Sequence, residues 1–299
     1  MTAYVKENGI WKKSNLSSVK VDGEWKKTKQ GFVKADGAWK RFYSSANSIV
    51  PGTEDTIVDF AVTQEMVDAN PDVYILGEIW RAHTWTTGDA QTITIETSVY
   101  PWYVLVAGSG GKGGPDAGAG AGGGGSFVGP VSAEYLPEGE LNFTVGNDID
   151  TEIVINGVDL VAKKGNSGGT KSSGASGGST TGSVDGLTAA TGGTGGSYNA
   201  GAAPVGGFTS MINGQDLGYC GGGGAGGHGP NEYFNRLLPG GGGRNGGGNG
   251  GAGGNGNYPI GYPGGQGHRG GGGGGAGAYN NVQSGSSGIV TISYRLEEA

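Results

Sequence analysis

Apolar and polar positions alternate in short bursts along this chain, and most bursts end at glycine, proline or asparagine. The runs Gln91–Thr97, Leu141-Asn-Phe-Thr-Val145 and Gly288-Ile-Val-Thr-Ile-Ser-Tyr294 carry the pattern. Side chains of a strand point alternately to opposite faces, so a period of two predicts half-buried strands. Val73–Trp80 reads as a further strand, and Trp102-Tyr-Val-Leu-Val-Ala107 as a buried one running straight into glycine. Glu152–Ile155 and Val158–Ala162 flank Asn156-Gly157, the residue pair that favours a two-residue type I′ hairpin. Thr63–Ala69 predicts a short helix, with Thr63 as N-cap and Glu65 in the first turn.

The first segment repeats itself. Tyr4–Lys13, Ser18–Lys27 and Phe32–Arg41 align without gaps, and Trp11, Trp25 and Trp39 are spaced by fourteen. Each unit sets Asn-Gly or Asp-Gly between two short extended runs, which predicts three hairpins in series. Valine and tryptophan are placed to pair across each ladder.

Composition changes the picture. Glycine supplies 71 of 299 residues, and the apolar share is only 34%. Collagen is excluded, because there is no strict glycine third position and only 11 prolines occur. Inside the glycine there is nonetheless a period of three: Ser109, Lys112 and Pro115 are separated by glycine pairs, as are Thr191, Thr194 and Ser197, and Asn249, Ala252 and Asn255. That is the period of polyproline-II geometry, which makes no internal hydrogen bonds and must find backbone partners in neighbouring segments. A Gly-Gly-X run then buries two faces and offers X to solvent, and Gly270–Gly275, bare on every face, belongs in the middle of a bundle. The alternative, a disordered Gly/Ser linker, is opposed by the three-residue phase and by 26 aromatic residues.

Charge is uneven. Residues 1–43 carry ten Lys/Arg against four Asp/Glu, a net of +6; the rest carries nine against twenty-two, a net of −13. Glycine-rich RNA-binding segments are basic, so the acidic glycine region argues against nucleic acid. No apolar stretch predicts a signal peptide or a membrane insertion. Catalytic signals are weak. The three histidines lack ligand spacing, the single Cys220 excludes an internal disulfide, and Lys112 follows glycine without the rest of a phosphate loop. His83 is expected to be packed among tryptophans, and Asp148, Asp150 and Glu152 to sit on a solvated loop. The expectation is a non-enzyme without metal or cofactor.

Four blocks, Val104–Gly111, Gly122–Val128, Leu141–Gly146 and Gly288–Tyr294, resemble the glycine-rich domains of bacteriophage tail-fibre proteins. The same arrangement is similar to the receptor-binding adhesins at the long-tail-fibre tips of T-even-like phages, and the N-terminal repeats resemble those of phage tail proteins. Those adhesins dock through a different N-terminal domain.

The resemblance implies a mainly β fold with a polyglycine-II helix bundle. Residues 165–278 are then helices of the bundle, on a β base near 93–106, 141–162 and 288–295. Three regions are expected: hairpin repeats serving attachment (1–43), a β-rich connector with one helix (44–103), and the β base with its receptor-binding glycine domain (104–299). The implied function is recognition of a host bacterial surface receptor, a protein or polysaccharide. The implied location is the virion tail, assembled in the host cytoplasm and acting outside it. Trp11, Trp25 and Trp39 would pack where the repeats hold a tail-fibre shaft or other tail protein. Aromatic residues and arginine are the usual interface anchors. They select Tyr233, Phe234, Asn235, Arg236, Leu237 and Leu238, fenced by Pro230 and Pro239, with Tyr258 and Tyr262 as second choice. The alternatives are a purely structural virion fibre or decoration protein and, more remotely, an ice-binding polyglycine-II protein.

Overall fold

In the computed structural model of the protein, the alternating runs become strands of a mainly β structure. Backbone is described for residues 3–7, 10–14, 18–21, 24–27, 30–35, 38–44 and 49–50. The described chain continues with 55–69, 71, 74–86, 89–96, 99, 101–113, 122–131, 136–168, 180–181, 189–190, 207–223, 269–271 and 284–296. Tyr233, Phe234, Asn235, Arg236, Leu237, Leu238, Tyr258 and Tyr262 lie outside these residues, as do the side chains of Trp11, Trp25 and Trp39.

Six N-terminal strands pair only two by two: β1 (Ala3–Glu7) with β2 (Ile10–Ser14), β3 (Ser18–Val21) with β4 (Glu24–Lys27), and β5 (Gln30–Ala35) with β6 (Ala38–Ser44). The two-residue connections pin the register, and each tryptophan comes opposite lysine: Lys6↔Trp11, Lys20↔Trp25, Lys34↔Trp39. The expected valine–tryptophan pairing does not occur. Val5, Val19 and Val33 sit one position further from the turn, opposite Lys12, Lys26 and Lys40.

The remaining strands, in chain order, begin with β7 (Ile49–Val50), β8 (Asp55–Ala61), β9 (Ile79–Trp85), β10 (Asp89–Ile95), β11 (Trp102–Ala107) and β12 (Phe127–Val131). They continue with β13 (Gly139–Val145), β14 (Thr151–Ile155), β15 (Val158–Ala162), β16 (Thr180–Thr181), β17 (Ala189–Ala190), β18 (Phe208–Ser210), β19 (Leu217–Tyr219) and β20 (Ile289–Leu296). One sheet has the order β16-β15-β14-β13-β10-β7, the other β17-β12-β11-β20-β9-β8, and β18 pairs with β19. All these pairings are antiparallel. Residues 44–103 thus contribute strands to both sheets rather than standing apart from them.

The two sheets close on a shared core. Ile93, Leu141, Phe143, Val145 and Ile153 of the first meet Trp85, Trp102, Val104, Val106 and Ile292 of the second. The opposite face of the second sheet is covered too: Trp80, Tyr103, Leu105 and Ile289 pack with Met66 of the helix α1 (Gln64–Ala69) and with Ile212 and Tyr219 around the β18–β19 hairpin. Burial on both faces explains why β11 shows no alternation. The Thr63 hydroxyl caps α1 by accepting from the Met66 N–H at 3.4 Å, and Asn156 and Gly157 take φ of 52° and 77° between β14 and β15, as a type I′ turn requires.

Two features differ from the sequence expectation. Of the strand expected over Val73–Trp80, the described residues 74–78 are not strand: Gly77 at φ 85° makes a turn there, and β9 starts only at Ile79. Tyr74 instead folds its ring onto Trp80, 4.9 Å away edge to face. Strand β8 was not expected, because its run Asp55-Thr-Ile-Val-Asp-Phe-Ala61 carries no clear alternation. His83 is fully buried, stacked between Trp85 and Tyr294, with Nε2 at 3.3 Å from the Tyr294 hydroxyl.

Candidate functional site

Where strands reach glycine, the chain stays ordered without becoming sheet. Segment 108–113 continues from β11, 122–126 leads into β12, 163–168 continues from β15, 220–223 from β19, and 284–288 leads into β20. The residues 269–271 complete the set. These segments bond to one another mainly through backbone, with the Ser126 hydroxyl and the Cys220 thiol adding side-chain bonds. Gly108 and Gly111 donate to the carbonyls of Ser126 and Gly123 at 2.8 and 2.9 Å. Gly123 and Ser126 donate to Asn166 and Lys163, both at 2.9 Å, while Gly165 and Gly168 donate to Ser109 and Lys112 at 2.7 Å. In each pair of segments the bonded residues are three apart in sequence. Descending partner numbers mark 122–126 as antiparallel to both others, and ascending ones mark 108–113 and 163–168 as parallel.

The 122–126 segment has neighbours on every side. Besides those two, Gly223 donates to Gly122 at 3.0 Å and Gly125 to Gly270 at 2.8 Å. This is the most enclosed of the described segments; Gly270 and Gly271 are also buried, whereas 272–275 lie outside the described residues. The lattice begins at Gly108, well before the 165 expected, and extends to Gly288. Only 165–168, 180–181, 189–190, 207–223 and 269–271 of the 165–278 range are described.

Close approach is the reason for glycine here. A Cβ on Gly111 would collide with the Asn166 carbonyl, on Gly165 with that of Gly123, and on Gly124 with that of Cys220, all far inside the 3.0 Å that real Cβ contacts keep. Cys220 itself adopts φ 53°, and its buried thiol donates to the Ser126 carbonyl at 3.4 Å. Loss of solvent raises its pKa well above the usual thiol range. Arg269, at φ 46°, turns the chain back, and its Nε donates to Gly218 O at 2.8 Å.

The X positions do not all face water. Lys112 is exposed, but Ser109 is fully buried beneath loop 146–150, its hydroxyl donating to Ile149 O at 2.7 Å. That loop is more than a solvated cluster of acids. Asp150 accepts from Lys163 Nζ at 2.7 Å and from the Lys164 N–H at 2.8 Å, and Asp148 lies 3.0 Å from Lys112 Nζ and 3.4 Å from Lys164 Nζ. The two carboxylates therefore tether the loop to two lattice segments.

These pairs set a pH response. The hydrogen bond from Lys112, helped by Lys164, holds Asp148 below the ordinary aspartate value of 3.8, and the hydrogen bond from Arg81 does the same for Asp59. A lowered carboxylate pKa means that the unfolded chain takes up protons first. The stabilisation is then complete above the ordinary value and is lost as pH falls through the lowered one. Both groups remain substantially exposed, so the effect is modest. Thermal unfolding midpoints should be level above that value and fall below it. Asp59→Asn with Asp148→Asn should lower the plateau and flatten the fall; an unaltered slope in the double variant would refute the assignment.

Gly168 bonds Lys112, Gly223 bonds Gly122, and a Cβ on Gly122 would strike the carbonyls of Gly111 and Lys112. Lys112, Gly122, Gly168 and Gly223 thus lie side by side in the lattice, several residues beyond the strand ends at Ala107, Ala162 and Tyr219.

Fold and site define a mainly β protein whose two-sheet sandwich carries a backbone-bonded glycine lattice at one end. No protein-family model matches the chain, and neither does any curated protein. Among the described residues no group of His, Cys, Asp and Glu could hold a metal ion, and no helix is long and apolar enough to cross a membrane.

Proposed function

We propose that this protein is a bacteriophage tail-fibre adhesin that binds a receptor, protein or polysaccharide, on the surface of a host bacterium. In this reading the glycine segments are polyglycine-II helices bundled above the sandwich, and the stretches between them are recognition loops. The observation that supports it is the glycine lattice itself, in which Gly168 bonds Lys112 and Gly223 bonds Gly122 across neighbouring segments that continue from the strands. A backbone lattice with almost no side chains gives such loops a rigid base, which lowers the ordering cost of binding. The +6 repeats with Trp11, Trp25 and Trp39 form a hairpin array that attaches the protein to a fibre shaft or other tail protein, so that it acts as part of the virion. Binding of the purified protein to host cells, with and without residues 230–239 and 258–263, tests the reading. Adsorption should be saturable and should depend on those segments. A protein that binds no host cell in either form would instead be a structural part of the fibre.

A further inference from the structure

Both edges of the sandwich end in strands with a single partner among the described residues, and the edge holding β7 and β8 exposes apolar side chains. Among the described residues β8 pairs only with β9, and β7, the last strand of the other sheet, only with β10. An unpaired edge with apolar side chains is a liability that proteins ordinarily cover. Here Ile57 is 41% exposed on β8 and Ile79 37% exposed on β9, and the turn before β9 adds Ile75 at 61% and Leu76 at 58%. The register places Ile57, Asp59 and Ala61 on the same face as His83, Arg81 and Ile79, while Gly77 N–H donates to Val62 O at 3.1 Å and brings the turn against the end of β8. The exposed Ile57, Ile75, Leu76 and Ile79 thus gather at the sheet edge around the Asp59–Arg81 ion pair.

Its charge is one-sided. From residue 44 to residue 80 the chain has seven Asp/Glu and no Lys or Arg. Two of the seven are answered from elsewhere in the fold, Asp59 by Arg81 at 2.6 Å and Glu78 by Arg295 at 2.9 Å. Immediately before this acidic stretch comes the +6 segment of residues 1–43, rich in lysine and tryptophan. Among the described residues its strands pair only within each hairpin, and an isolated two-stranded hairpin is marginally stable in water. The tether is short. Ser44 ends β6 and Ile49, buried in the core, starts β7, so the five intervening steps span at most ~18 Å. Asp55, the start of β8, lies the same number of steps beyond Val50.

The geometry points to the edge formed by β8 and the 75–79 turn as the docking surface for the chain's own third hairpin, Gln30–Ser44. The lysines of that hairpin answer the acids of residues 54–72, and its apolar residues cover the exposed isoleucines. A linker this short holds the hairpin at an effective concentration in the millimolar range, so a weak contact suffices and a second copy is outcompeted. The inference does not depend on the receptor reading, which concerns the stretches between the glycine segments.

The test is carbodiimide coupling of lysines to carboxylates in the full-length protein, with peptide mapping of monomer and dimer bands separately. The pair Lys163–Asp150, already at 2.7 Å, serves as the internal control. The monomer should show links from Lys34 and Lys40 to acids within residues 54–72. Those links should fall several-fold in Ile57→Lys with Ile79→Lys, while the control link persists. Links confined to the dimer band would assign the edge to a second copy and overturn the proposal. So would a monomer that shows the control link alone, or links from Lys34 and Lys40 that survive Ile57→Lys with Ile79→Lys.

Discussion

Gly124→Ala is expected to open the glycine lattice. The added Cβ would land on the Cys220 carbonyl with Gly221 directly behind it. Neither obstacle is a side chain that can swing away, so segments 122–126 and 220–223 must separate. That separation strains the Gly223→Gly122 bond on one side and the Gly125→Gly270 and Gly123→Asn166 bonds on the others. Overpacking ordinarily costs about 1–3 kcal/mol, and each of these hydrogen bonds contributes roughly 1 kcal/mol net. A loss of about 3–5 kcal/mol follows, a large part of the ~5–15 kcal/mol that holds a domain together. Denaturant unfolding followed by circular dichroism measures it. Gly139→Ala is the control, since its Cβ meets nothing within 4 Å and only its φ of 128° opposes a side chain; it should cost about 1–3 kcal/mol from backbone strain alone. Equal midpoints for Gly124→Ala and wild type would mean that the segments are not in contact as described.

Replacing Tyr233, Phe234 and Arg236 together with serine is expected to lower adsorption to host cells by about a hundredfold or more. Buried aromatic and arginine anchors commonly contribute about 2 kcal/mol or more each, and a tenfold change corresponds to ~1.4 kcal/mol. Even with strong non-additivity, three anchors exceed two decades. The fold should not suffer, because the lattice contacts that hold the stretch at its ends, Gly223 to Gly122 and Arg269 to Gly218, are untouched. An unchanged unfolding midpoint therefore accompanies the expected loss. A folded triple variant that adsorbs like wild type would remove this loop from the recognition surface and turn attention to Tyr258 and Tyr262.

Local signals were readable in the residues themselves. A continuous apolar run located the strand at 102–107 and a period of two those at 141–145 and 289–294, Asn156-Gly157 located a hairpin, and Thr63 located the start of the only helix among the described residues. The period of three likewise marked the glycine runs as neither helix nor strand, and the hydrogen bonds from Gly108 and Gly111, or from Gly165 and Gly168, keep that spacing. Each of these signals depends on a few consecutive residues and on backbone sterics, so no distant part of the chain can alter it greatly.

Other features needed the tertiary structure. Strand β9 joins β20 across more than two hundred residues, as the His83–Tyr294 contact shows, and no local pattern announces such a pairing. The burial of β11 on both faces, the packing of Ser109 beneath Ile149, and the lysine partners of Asp148 and Asp150 all depend on which segments become neighbours. Even the tryptophan register in the N-terminal repeats was settled by counting outward from the turn. The sequence by itself determined which stretches extend, which turn, and where glycine repeats by threes. The tertiary structure alone decided the order of the glycine segments around 122–126 and which of them run parallel or antiparallel. The physical reason is that a glycine segment has no side chains with which to choose a partner. Its neighbours are assigned by the strands from which it continues, and those strands are ordered by contacts between residues far apart in the chain.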